Sequence, residues 1–259
     1  MEATIAADKK PLTFNRWLPY WAVFQADMQQ TLRSWVYRFW VLASVLTSSG
    51  FLLYNLGPYH TTGLIFPTSD FMNVLLRWTV LGSVGIIVVL TAGAISSERG
   101  TMADSVLSRG ISRYQYFCGK WHARLAAVLG TYLILAGISL VSGLFFLHED
   151  LSLGGSIVAL FLVAVLLGTV ITCGVAVSAI ANSTLTGIAV LWGLLFGSSF
   201  VLSLLPDRYR AFDRLVQTLP YMLRGHYDLA LVGRLTGWSL LLSCTAALTG
   251  MVYFARRDV

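Results

Sequence analysis

The chain has 259 residues, of which 56% are hydrophobic and only 12% charged, and its mean hydropathy is +0.72. A soluble domain carries about 25% charged residues, so this composition excludes a globule wrapped wholly in water and predicts a solvent that is partly lipid, with room for about six spans of roughly 20 residues. The net charge of +6 is assigned to membrane-protein loops rather than to nucleic-acid binding, because Lys and Arg collect in cytoplasmic loops and no basic helix with interleaved stacking aromatics is present.

Residues 1–18 read as a polar, poorly ordered start. Lys9 and Lys10 are followed by Pro11, Asn15 and Arg16, not by a short apolar segment and a cleavage site, so no removable signal peptide is expected. In residues 19–38, Trp21, Phe24, Met28, Leu32, Trp35 and Val36 recur at steps of three and four, with Gln25, Asp27, Gln29, Gln30 and Arg33 between them. This periodicity predicts an amphipathic helix. It reads as a helix lying in the cytoplasmic membrane interface, the alternative being a soluble arm before the first span.

The first span is expected over 39–56, ended by Gly57-Pro58, and the second over 72–95. Arg77 lies near the outer end of the second, where it either snorkels to the headgroups or faces a translocation path. Residues 96–124 form the densest polar segment and are predicted to be a water-exposed cytoplasmic loop. The third span is expected over 125–147, the fourth over 157–180 and the fifth over 185–205, with 181–184 as a tight inner turn. Residues 207–234 are too polar to span. Phe212, Leu215, Val216 and Leu219 recur there at helical spacing, opposed by Arg208, Arg210, Asp213, Arg214 and Gln217. They predict one or two short amphipathic helices on the outer surface or dipping into it, ended by Pro220, with the outer arginines paired to Asp207, Asp213 and Asp228 or to lipid phosphates. The sixth span is expected over 235–254. The predicted fold is thus all-α, one polytopic membrane domain over 1–259 with six transmembrane helices. Placing both termini in the cytoplasm puts twelve of the eighteen Lys and Arg inside, as the positive-inside rule requires. The pairs Gly193/Gly197 and Gly233/Gly237, with Gly168 and Gly174, predict close helix packing within the subunit or across a dimer.

Catalytic chemistry is missing from the sequence. No HExxH, Ser/His/Asp set or phosphate loop is evident. Cys118, Cys173 and Cys244 have no CxxC spacing, and His60, His122, His148 and His226 make no stacked pair of the kind a haem would need. No intramembrane acid offers a proton relay. The chain is therefore expected to be no enzyme and to have no catalytic residue, metal or cofactor of its own. Energy for uphill movement would have to enter from a partner.

The polar segment supplies a further argument. Glu98-Arg99-Gly100-Thr101, then Leu107-Ser108-Arg109-Gly110-Ile111-Ser112-Arg113, then Gly119-Lys120 resemble in order and spacing the first cytoplasmic loop of ABC-2-type transporter permeases. The ending Phe254-Ala255-Arg256-Arg257-Asp258 is similar to that family's C-terminus. The charged run before Gly100 is shorter than usual, and Gly110 stands where the family often has proline. The resemblance implies that residues 96–120 form a coupling helix docked on a separate ABC ATPase subunit, which uses ATP and Mg. The coupling residues would be Glu98, Arg99, Gly100, Thr101, Leu107, Ser112, Arg113, Gly119 and Lys120. Thr101 would cap the docking helix, Met102, Val106 and Leu107 would give its apolar face, and Glu98, Arg109 and Arg113 its charged rim. The implied partners are that ATPase, a second permease subunit in a homodimer or homologous heterodimer, and the bilayer of the cytoplasmic membrane. The implied activity is export of a hydrophobic or amphipathic substrate. The alternative is a membrane subunit that passes ATPase motion to an outer partner held by residues 207–234.

Overall fold

The computed structural model describes residues 17–62, 67–98, 111–146, 150–204 and 211–256, and within them every regular element is helical. Helix α1 covers Leu18–Arg33 and α2 covers Trp35–Thr62. The return pass is built from α3 (Thr68–Val74), a π-helical run Leu75–Leu81, α4 (Val84–Ala92) and a 3₁₀ turn Ser96–Glu98. Then come α5 (Arg113–Phe146), α6 (Leu153–Ile180), α7 (Thr184–Ser203), α8 (Ala211–Leu223) and α9 (Leu229–Arg256). Five described stretches are long and apolar enough to cross a membrane: Trp35–Gly57, Thr68–Glu98, Arg113–Phe146, Leu153–Ile180 and Leu229–Arg256. Helix α7 is a further apolar helix of 20 residues. The chain is thus all-α, with the helices of a multi-pass membrane protein.

Several boundaries differ from the sequence-based expectation. The first break falls at Ser34, whose ψ of 140° turns the backbone to extended geometry, so the amphipathic segment stops at Arg33 rather than at 38. The Ser34 hydroxyl then accepts from the Tyr37 backbone N–H at 3.2 Å and starts α2. Gly57-Pro58 does not end that helix, which continues to Thr62; a proline removes one backbone bond, and a helix can carry on past it. Pro220 likewise lies inside α8, which runs to Leu223. The stop is at Gly225, whose φ of +94° is the left-handed geometry that terminates helices. Helix α9 begins at Leu229, six residues before the expected 235, because Asp228 caps it by accepting from the Ala230 N–H at 2.9 Å.

Lipid is as apolar as leucine, so close fit rather than hydrophobic transfer holds such helices together. The main core joins Phe71, Met72 and Leu76 of the return pass to Tyr132 of α5 and Leu162, Leu167 and Ile171 of α6. Helix α8 adds Leu219, Met222 and Leu223, each at most 1% exposed, so it is folded into the bundle end rather than lying free on it. A Cβ on Gly250 of α9 would come 2.8 Å from the Ala176 Cα of α6, and one on Gly174 would meet the Thr91 hydroxyl at 2.0 Å. These glycines are among those that allow close approach within the chain. A Cβ on Gly193, Gly197, Gly233 or Gly237 would meet no atom of the described residues within 4 Å.

Candidate functional site

Tyr116, Lys120 and Arg124 are four residues apart on α5 and therefore share one face. That face is covered by α1. Asp27 of α1 is 2% exposed, Lys120 2% and Arg124 7%. The Asp27 carboxylate takes the Lys120 ammonium at 3.3 Å on Oδ1 and the Arg124 Nη2–H on the same oxygen at 3.1 Å. Arg124 Nε lies 2.9 Å from Oδ2, an ion contact rather than an aligned hydrogen bond. The spare donors turn to the end of the second pass: Arg124 Nη1 donates to the Leu90 carbonyl at 3.1 Å and Lys120 Nζ to the Ala94 carbonyl at 2.7 Å. Cations are favoured there, where helix-end carbonyls are left over.

The 3₁₀ turn completes the cluster. Glu98 Oε1 sits 2.7 Å from Lys120 Nζ, and its Oε2 accepts from the Tyr116 hydroxyl at 2.7 Å. The Lys120 ammonium also lies 5.2 Å from the Tyr116 ring centroid, within cation–π range. Two acids and two bases from three separate segments thus neutralise one another out of solvent. Beneath them Val23, Ile95, Phe117, Val175, Ala179 and Phe254 form an apolar floor.

Residues 111–124 are therefore not the water-exposed loop expected from their polarity. The helix starts at Arg113, twelve residues before the expected third span, and its charges are turned inward. Ser112 and Gln115 begin it as a reciprocal pair: each side-chain oxygen accepts the other's backbone N–H at 3.2 Å, a capping box. Arg113 Nη1 donates to the Ala255 carbonyl at the end of α9 at 3.1 Å, and Phe254 stacks on Tyr116 with centroids 5.8 Å apart. Gly119 is where α1 crosses: a Cβ there would stand 2.9 Å from Val23 Cγ1 and 3.3 Å from the Tyr20 carbonyl oxygen.

Of the expected coupling residues, Glu98, Ser112, Arg113, Gly119 and Lys120 are brought to this end of the bundle, and Glu98 and Lys120 touch. Arg99, Gly100, Thr101 and Leu107, with Met102, Val106, Arg109 and Gly110, lie outside the described residues. Asp27, Tyr116 and Arg124 join this cluster although no sequence motif pairs them. The four-residue spacing of Tyr116, Lys120 and Arg124 was a visible signal; their acidic partner, 93 residues from Lys120, was not.

Helix α1 packs along α5 through one side. It packs with Val23, Asp27 and Thr31, whereas Trp21 and Leu32 are 53% and 43% exposed, and Trp35, at the start of α2, is 79% exposed. Of the polar stripe only Asp27 is buried; Gln25, Gln29, Gln30 and Arg33 are exposed, while Phe24 and Met28 are half-buried. Tyr20 reaches across to α5, its hydroxyl 3.0 Å from His122 Nδ1. Burial first, and the Cys118 thiol second, push its pKa up.

A second polar cluster closes the opposite end. Asp150 accepts from the Ser69 backbone N–H at 2.9 Å and from its hydroxyl at 2.5 Å. Arg224, just beyond α8, donates to Ser69 Oγ at 3.0 Å and to Asp70 at 3.3 Å, and lies 3.5 Å from Asp150. Arg224 thus pairs with acids of the return pass and of the α5–α6 connection; the expected partners Asp207 and the Asp213 side chain lie outside the described residues. Arg77 is exposed on the π-helical run, its guanidinium 5.9 Å from the Trp78 ring.

Compared with protein-family models and with curated proteins, the chain gives no match to either.

Proposed function

We propose that this chain is the membrane-spanning permease subunit of an ATP-driven ABC-type transporter, with hydrolysis carried out by a separate ATPase subunit. The observation that carries the reading is the buried cluster of Asp27, Glu98, Lys120 and Arg124. It welds α1, the turn after the second pass and the start of α5 into one rigid block beside residues 99–110, where the coupling motif falls. A push on that segment would be delivered to three helices together instead of being absorbed by a slack loop.

In this reading α7 is the fifth of six spans, both termini are cytoplasmic, and the exposed Trp21 and Leu32 of α1, with Trp35 at the start of α2, rest in the headgroup layer of the cytoplasmic membrane. Two copies, or this chain and a homologous one, form the pathway, and the few fixed charges on the spans suit export of a hydrophobic or amphipathic substrate. The mechanical alternative, with residues 207–234 as an outer partner site, is less favoured, because Arg224 is engaged by Asp70 and Asp150 and one face of α8 is buried.

A photo-crosslinking residue in place of Leu107 tests the docking. In native membranes it should capture an ATP-binding subunit, and the same probe in place of Trp192 should not. Capture of no ATPase from position 107 would refute the reading. Purification with the captured ATPase, followed by a screen for compounds that stimulate ATP hydrolysis in a bilayer, identifies the substrate class.

A further inference from the structure

Tyr37, Trp40, Ser44 and Ser48 recur at three- and four-residue steps along α2, so the face this helix turns to α5 is a polar seam inside an apolar bundle. At one end the Tyr37 hydroxyl bonds the Thr131 hydroxyl. At the other, Ser48 and Ser139 share a hydrogen bond at 2.9 Å. Between these pairs lies a cavity of about 20 Å³ lined by Trp40, Ser44, Ser48, Thr79 and Ser139 among its polar residues. Trp40 is 3% exposed, and its indole Nε1 has no hydrogen-bond partner among the described residues.

We propose that one structural water molecule occupies this cavity, accepting the Trp40 Nε1–H and bonding the serine and threonine hydroxyls around it. The volume matches a single water, which needs about 10–15 Å³ and two to four polar partners. The chemistry narrows the occupant further. An indole N–H only donates, so the occupant must accept, which excludes a metal cation. No cationic side chain lines the cavity, so an anion would be buried uncompensated at high cost. Water accepts from the indole and donates to the hydroxyls, and it makes the seam from Thr131 to Ser139 continuous. Because the cavity is bounded on one side by Leu75, Thr79 and Val80 of the π-helical run, the water also ties α2 to the irregular part of the return pass.

The test is a structure of the intact protein in a lipid bilayer at a resolution that shows ordered water, together with NMR of the indole-labelled protein. Expected are a density peak within about 3.2 Å of Trp40 Nε1 and a cross-peak between the Trp40 indole proton and a long-lived water, the resonance being assigned by its loss in Trp40→Phe. A cavity without density would overturn the proposal. So would an indole N–H bonded directly to a neighbouring hydroxyl with no water cross-peak. The structure is determined on the unaltered chain, so its answer stands even if Trp40→Phe fails to fold.

Discussion

Lys120 and Arg124 both depend on the Asp27 carboxylate, and all three are nearly out of solvent. Removing one partner of a buried ion pair strands the other, at about 3–5 kcal/mol. Asp27→Ala is therefore expected to lower the thermal unfolding midpoint in detergent sharply, and high salt should rescue it little, since screening hardly reaches a buried pair. Combined with Arg124→Ala, the loss should be well short of additive; two additive losses would show the contacts to be energetically idle. Gly119 gives a second test. Gly119→Ala drives a methyl into Val23 and should cost about 1–3 kcal/mol by overpacking. Val23→Ala in the same chain should recover part of that, because it removes Cγ1 at 2.9 Å but keeps the Cβ at 3.0 Å. No recovery would mean that the Val23 Cβ and the Tyr20 carbonyl, not Val23 Cγ1, set the distance between α1 and α5.

At the level of elements, α8 is held by both its apolar face and its last turn. A Cβ on Gly155 would fall 1.9 Å from the Met222 carbonyl oxygen, a backbone atom that cannot rotate away. Gly155→Ala should therefore dislodge α8, seen as faster hydrogen exchange over 211–223. Arg224→Ala should loosen it less, because Arg224 is 43% exposed on its side chain and part-exposed pairs contribute little. Equal exchange in the two variants would contradict this ranking. The helices themselves were legible from the sequence, since long apolar runs and the four-residue rhythm of 19–38 report local physics. Their ends were not. Gly57-Pro58 and Pro220 looked like stops, yet the chain runs through both, because packing outweighs one lost backbone bond. Polarity likewise placed 111–124 in water, whereas the charges there are satisfied by residues far away in sequence.

Across the whole molecule, the two polar clusters cap opposite ends of an apolar bundle, and each ties together segments that the chain order separates. The site was half legible for this reason. Glu98, Arg113 and Lys120 stand out as charges in an oily sequence, but a one-dimensional reading cannot say that Lys120 points at Asp27. It marks Gly174 and the pair Gly193/Gly197 alike by pattern, but only Gly174 is a close approach within the chain, together with Gly119, Gly155 and Gly250, which no packing pattern marks. The proposed six-span topology has its own check: cysteines placed at position 2 and at position 258, in a chain lacking the native three, should react only with a membrane-permeant reagent in intact cells. Labelling of either from outside would overturn the proposed orientation.

The inward-facing charges also bear on how the protein is made. Asp27, Glu98, Lys120 and Arg124 all belong to the first half of the chain, so a nascent polypeptide that has emerged only as far as α5 already holds every member of that cluster. Lys120 and Arg124 would enter the bilayer's edge with their counter-charge waiting, before α6 to α9 have been synthesised. The last helix then finishes the assembly from the other terminus, setting Phe254 on Tyr116 and the Ala255 carbonyl on Arg113. Biogenesis would thus proceed by closing an early charged knot and later sealing it with the final turn of the chain.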